Sequence, residues 1–111
     1  MEFRARYRYA NISPSKVKGV VKLIRGKHVN DALQILRATN KRASAMVDKV
    51  LRSAVANADE SLEADMENLR VSESRVDPGP QRRKWRFRAR GRAAPVRRRT
   101  SHISIVLDDG Q

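Results

Sequence analysis

The sequence predicts an α+β fold in which three helices pack on a small antiparallel three-stranded sheet and a long basic β-hairpin protrudes. Three observations lead there. Apolar residues alternate with period two near the start of the chain, after residue 68 and again from residue 101. Between the first two of these stretches, three segments repeat their apolar residues at i, i+3, i+4 and i+7. Finally, residues 81–99 hold ten Lys/Arg and no Asp or Glu, with cation and apolar residue alternating from Lys84 to Arg92.

Phe3, Ala5, Tyr7 and Tyr9 alternate with Arg4, Arg6 and Arg8, which predicts a strand with its aromatic side in the core and three guanidinium groups on the other face. Ser13-Pro14 reads as N-cap and first helical position. Val17, Val20, Val21 and Ile24 then define a helix over about 14–25, which Gly26 ends. Asn30-Asp31 should cap a second helix containing Ala32, Leu33, Ile35 and Leu36, broken by Thr39-Asn40. The third helix carries the longest stripe: Ala43, Met46, Val47, Val50, Leu51, Ala54, Val55 and Ala58, with Lys41, Arg42, Lys49 and Arg52 off it. Its alanines allow a neighbouring element to approach closely. Asp59 to Glu67 reads as an acidic solvated loop, and Leu69–Val76 and Ser101–Leu107 read as strands, the latter with Ile103, Ile105 and Leu107 on one face.

With 111 residues and 40% apolar content, a single domain over 1–111 is expected. The absence of Cys excludes disulfides and thiolate metal sites, and His28 and His102 are too few for a histidine site, so neither metal nor cofactor is expected. No stretch approaches the roughly 20 apolar residues of a membrane span, and no signal-peptide core follows Met1. A cytoplasmic protein without a membrane partner is therefore expected.

The net charge is +13, and ten of the twenty-five basic residues lie in the nineteen-residue run. Nine of those ten are Arg, which favours planar contacts to phosphate and stacking on bases. If Val76 and His102 are roughly paired at its base, the run folds back near residue 89, close to Gly91, and forms an arm over 77–101. Each leg of about 13 residues, at ~3.3 Å per residue, gives a ribbon on the order of 40 Å long. Pro78, Pro80 and Pro95 cannot donate ladder hydrogen bonds, which suits a ribbon without outer strands. A two-stranded ribbon loaded with like charge is marginal in water, so its order should come from a polyanionic partner. RNA is the leading partner. The rival is a DNA-binding architectural protein with basic β-arms, although such arms commonly carry a proline wedge where this one places Gly91. An enzyme acting on nucleic acid needs a carboxylate or His/Cys cluster beside the basic groove, and the run has no acid.

Several motifs, taken in order, resemble one family. They are Ile12-Ser13-Pro14-Ser15-Lys16-Val17, Ile24-Arg25-Gly26-Lys27, Ala32-Leu33-x-Ile35-Leu36 and Ser53-Ala54-Val55-Ala56-Asn57-Ala58. The most specific is Arg88-Ala89-Arg90-Gly91-Arg92, then nine residues, then His102-Ile103-Ser104-Ile105-Val106-Leu107. Together they are similar, nearly end to end, to the large-subunit ribosomal protein twenty-two family of the bacterial type. The resemblance implies a non-enzymatic constituent of the large ribosomal subunit that binds large-subunit ribosomal RNA, supports assembly and threads its hairpin inward. The hairpin tip, Arg86, Phe87, Arg88, Ala89, Arg90, Gly91, Arg92 and Ala93, would line the nascent-peptide exit tunnel. Partners would be the RNA, neighbouring large-subunit proteins and the nascent peptide, with no homo-oligomer.

Within that frame Arg82, Arg83, Lys84, Arg86, Arg88, Arg90, Arg92, Arg97, Arg98 and Arg99 are expected on phosphates and base planes. Trp85 and Phe87 either stack on unpaired bases or pack on the arm itself. Arg4, Arg6 and Arg8, with Lys16, Lys18, Lys22 and Arg25 on or near the first helix, are expected to form a second RNA surface. His102, at the root of the arm, has a hydrogen bond to RNA or to backbone as its two readings. Tyr7 and Tyr9 are expected in the core with their hydroxyls at its edge.

Overall fold

The computed structural model describes residues 1–80, 82–87 and 93–110, with side chains for 1–80 and 99–110. In chain order the elements are β1 (Glu2–Ala10), α1 (Pro14–Ile24), α2 (Val29–Ala38), α3 (Arg42–Glu60), a 3-10 turn (Met66–Asn68), β2 (Arg70–Pro78), β3 (Arg82–Phe87), β4 (Ala93–Arg98) and β5 (Ser101–Asp108). β1, β5 and β2 form one antiparallel sheet in that order, while β3 and β4 pair with each other. The fold is α+β, with three helices and a three-stranded sheet, as expected.

β5 is central because it alone reads Ile-x-Ile-x-Leu against the helices: Ile103, Ile105 and Leu107 are fully buried. α1 lies along β2, α3 crosses β1 and β5, and α2 fills the angle between the two helices. The stripe residues Val47, Val50, Leu51, Ala54 and Ala58 meet Val17, Val20, Val21 and Ile24 in one core with the sheet residues. Ala54 and Ala58 hold α3 close to edge strand β1, where the Asn57 Nδ2 donates to the Arg4 carbonyl at 2.8 Å.

Three expectations need correction. Tyr9 is 53% exposed, because a bulge between Tyr7 and Ala10 puts Tyr9 at φ +59 and turns Ala10 inward in its place. Tyr7 is partly buried against the core, as the alternation requires. α2 starts at Val29, and its N-cap is His28 rather than Asn30. The His28 Nδ1 accepts from the Asn30 amide at 3.2 Å and its Nε2 lies 2.7 Å from the Glu67 carbonyl, so one neutral tautomer serves both contacts. The acidic stretch is not all loop: α3 runs on through Asp59 and Glu60, and the 3-10 turn takes up Met66–Asn68. At the base of the arm, Val76 pairs with Ile103 and Asp77 with His102, within one residue of the rough pairing expected.

Gly26, at φ +78, ends α1 as expected, in a conformation that L side chains rarely adopt. Its amide donates to the Val71 carbonyl at 2.8 Å, which ties the α1 end to β2. In the ribbon, Arg82 pairs with Arg98, Trp85 with Pro95 and Phe87 with Ala93. The expected fold-back at Gly91 and the tip residues Arg88, Ala89, Arg90, Gly91 and Arg92 lie outside the described residues.

Candidate nucleic-acid interface

The described cations do not spread evenly over the domain. A groove of about 1030 Å³ opens between the start of α1, the start of α3 and the end of the ribbon, and Lys16, Lys41, Arg42 and Arg99 line it with Ser13 and Ser15. Among the described residues no carboxylate lines it. Both helices begin there without a side-chain capping bond or a first-turn acid, although Ser13-Pro14 is itself a favoured start for α1. α1 has no acid in its first turn, and its N-cap Ser13 makes no capping bond; the Ser13 hydroxyl instead lies 3.3 Å from that of Ser15. α3 has Lys41 at its N-cap, again with no acid in the first turn. Helix N-termini carry partial positive charge and favour Ser, Thr, Asp or Asn caps followed by acids. Two such ends plus four cations make a concentration of positive potential that an external anion would relieve. α2, which does not line the groove, has both a side-chain cap, from His28, and an acid, Asp31, in its first turn.

A second, shallower groove of about 440 Å³ runs between β1 and α3, where Arg6, Arg8 and Lys49 converge over Val50 and Ser53. Arg4 shares the strand face but lies 3.3 Å from the Glu2 carboxylate, and the pair is exposed enough to exchange readily for another anion. Lys18 is exposed and lines neither groove. Arg25, although exposed, is engaged by the fold: its Nε and Nη2 both donate to the Ser74 carbonyl, at 3.2 and 2.7 Å, joining the end of α1 to β2.

The root of the arm is tightly specified. The Gly79 amide donates to the Thr100 carbonyl at 2.9 Å, the Thr100 hydroxyl to the Pro80 carbonyl at 2.7 Å, and the buried Ser101 hydroxyl to the Ile12 carbonyl at 2.6 Å. The Nδ1 of His102 accepts from the Tyr9 amide at 3.1 Å, and the two rings meet edge to face at 4.9 Å. Of the two readings for His102, the backbone contact is the one present. The bulge that exposes Tyr9 thus also aims its amide at the arm's first strand residues.

Sequence reasoning placed Lys16 and Arg99 in the interface but passed over Lys41, Arg42 and Lys49, noting only that they lie off the apolar stripe. A signal was available: a Lys at an N-cap, with no acid behind it, breaks the helix-start pattern. The side chains of Arg82, Arg83, Lys84, Trp85, Arg86, Phe87, Arg97 and Arg98 lie outside the described ones, so their contacts are not part of this geometry. Among the described residues no helix is long and apolar enough to cross a membrane, and no group of three His, Asp or Glu could hold a metal ion.

The family model described as ribosomal protein L22p/L17e matches residues 5–108. The large ribosomal subunit protein uL22 of Pelotomaculum thermopropionicum is 53% identical over 109 residues, covering 98% of this chain and 96% of that protein. That of Halothermothrix orenii is 47% identical, with the same coverage of each chain. The uL22 of Syntrophus aciditrophicus is 49% identical over 98% of this chain and 99% of its own length.

Proposed function

The chain belongs to the ribosomal protein L22p/L17e family, and from that premise we propose that it is a non-enzymatic structural constituent of the large ribosomal subunit that binds ribosomal RNA in the cytoplasm. With this membership the DNA-arm alternative falls away. The observation that carries the RNA reading is the convergence of Lys16, Lys41, Arg42 and Arg99 with two acid-free helix starts at the root of a ribbon whose strands pair with each other. A domain built this way anchors on RNA phosphates through its globular part and feeds the ribbon into the same RNA.

In this reading residues 1–111 form one domain with 77–101 as its arm. The arm cations Arg82, Arg83, Lys84, Arg86, Arg88, Arg90, Arg92, Arg97 and Arg98 neutralise phosphates, and the tip from Arg86 to Ala93 lines the path of the nascent peptide. The protein works as a single copy beside other large-subunit proteins. Sedimentation of a lysate through a sucrose gradient tests the central claim. The protein should travel with the large subunit at moderate salt and leave it only in high salt; a protein found at the top of the gradient at every salt concentration would overturn the proposal.

A further inference from the structure

Resting on the RNA-binding reading, we propose that the groove between the starts of α1 and α3 and Arg99 is a clamp for one RNA strand. It grips at least two adjacent phosphates and reads no base. Its four cations come from three separate parts of the chain, the first turn of α1, the start of α3 and the end of the ribbon, so the fold gathers them where local sequence does not. Among the described residues none of the four forms an ion pair, whereas Arg4, Arg52 and Arg75 all do. Their charge is therefore available to a ligand.

The lining decides which part of the RNA is held. Lys and Arg side chains with two serine hydroxyls suit phosphate oxygens, and among the described residues no aromatic side chain lines the groove to provide a stacking platform. Its volume, about 1030 Å³, far exceeds what one small anion fills. Its position matters too. Arg99 is the residue just after β4 and also lines the small cavity beside Gly79 and Thr100, so a strand held in the groove lies directly against the root of the arm. Gripping there fixes the RNA relative to the point from which the ribbon departs.

The test compares full-length wild type with Lys41→Gln/Arg42→Gln, and with Lys27→Gln/Arg70→Gln as a control of equal charge change outside both grooves. The probe is purified bacterial large-subunit RNA, titrated over a range of salt. Each lost phosphate contact removes about 0.7–0.9 from the log–log salt slope. The groove pair should therefore flatten the slope by about 1.4–1.8, by the same amount with RNAs of unrelated sequence, while the control pair leaves it near the wild-type value. All four substitutions are on exposed residues, and unchanged thermal melts exclude unfolding as the cause. A steep wild-type slope unaffected by Lys41→Gln/Arg42→Gln, or flattened equally by the control pair, overturns the clamp and leaves the RNA-binding reading standing. A wild type that fails to bind the RNA removes both. Inorganic phosphate at constant ionic strength should not displace the RNA; if it does, the groove is a small-anion site and the strand clamp is wrong.

Discussion

Replacing Gly79 by Ala should cost more than its size suggests, because the position lies inside the root of the arm. A Cβ there would stand 2.5 Å from the Thr100 Oγ1, and 3.3 Å from both the His102 Nε2 and the Thr100 carbonyl carbon. Gly79 is not among the positive-φ glycines, so the backbone itself admits alanine; the obstacle is the neighbours. Thr100 is only 2% exposed, its β-branched side chain has few rotamers, and its hydroxyl is engaged by the Pro80 carbonyl at 2.7 Å. His102 is held by the Tyr9 amide. Relief by turning Thr100 away loses a hydrogen bond worth ~0.5–1.5 kcal/mol. Relief by displacement costs the ~1–3 kcal/mol typical of overpacking. The stiffer unfolded chain returns ~0.4–1 kcal/mol. Net of that return, the displacement route destabilises by up to ~2.5 kcal/mol, centred near ~1 kcal/mol, readable in equilibrium urea unfolding as a midpoint lowered by roughly 0.5–1 M. In a Thr100→Ala background the closest contact is gone and most of the Gly79→Ala penalty should vanish, giving a coupling of ~1 kcal/mol. A Gly79→Ala variant within ~0.5 kcal/mol of wild type, or one equally costly in both backgrounds, would refute the view that this root is packed to the limit.

Val50→Asp places a charge on the face of α3 that is 97% buried and should cost several kcal/mol, removing the protein from the subunit; chemical denaturation and gradient sedimentation read the two effects. Gly19→Ala should stabilise the protein by ~0.5–1 kcal/mol, since Gly19 is inside α1 and an added Cβ meets nothing within 4 Å; a thermal melt no higher than wild type would contradict this. Arg25→Gln should lower stability by ~1–2 kcal/mol through loss of the paired bonds to the Ser74 carbonyl while leaving the salt slope of RNA binding unchanged, separating a fold-internal role from a phosphate contact. Deleting residues 86–93 should leave urea unfolding of the domain unaltered and still permit incorporation into the large subunit, because among the described residues the buried hydrophobic core precedes residue 72 or follows residue 102.

What the sequence determined alone was whatever is written in short-range periodicity. The stripes of α1 and α3, the stop at Gly26 and the inward set Ile103, Ile105 and Leu107 all follow from the 3.6- and 2-residue repeats, because burying one face of an element constrains residues within a few positions of each other. The charge run was legible as composition alone. Tertiary structure decided what depends on partners far along the chain. His28 begins α2 because its other ring nitrogen meets the Glu67 carbonyl, thirty-nine residues away. Tyr9 leaves the core at a bulge where its amide meets His102, ninety-three residues on. Arg25, which resembles any surface cation in the sequence, is taken by Ser74. The groove depends on such closure most of all. Lys16, Lys41–Arg42 and Arg99 stand far apart in the chain, and become one site only when core packing brings the starts of α1 and α3 beside the end of the ribbon.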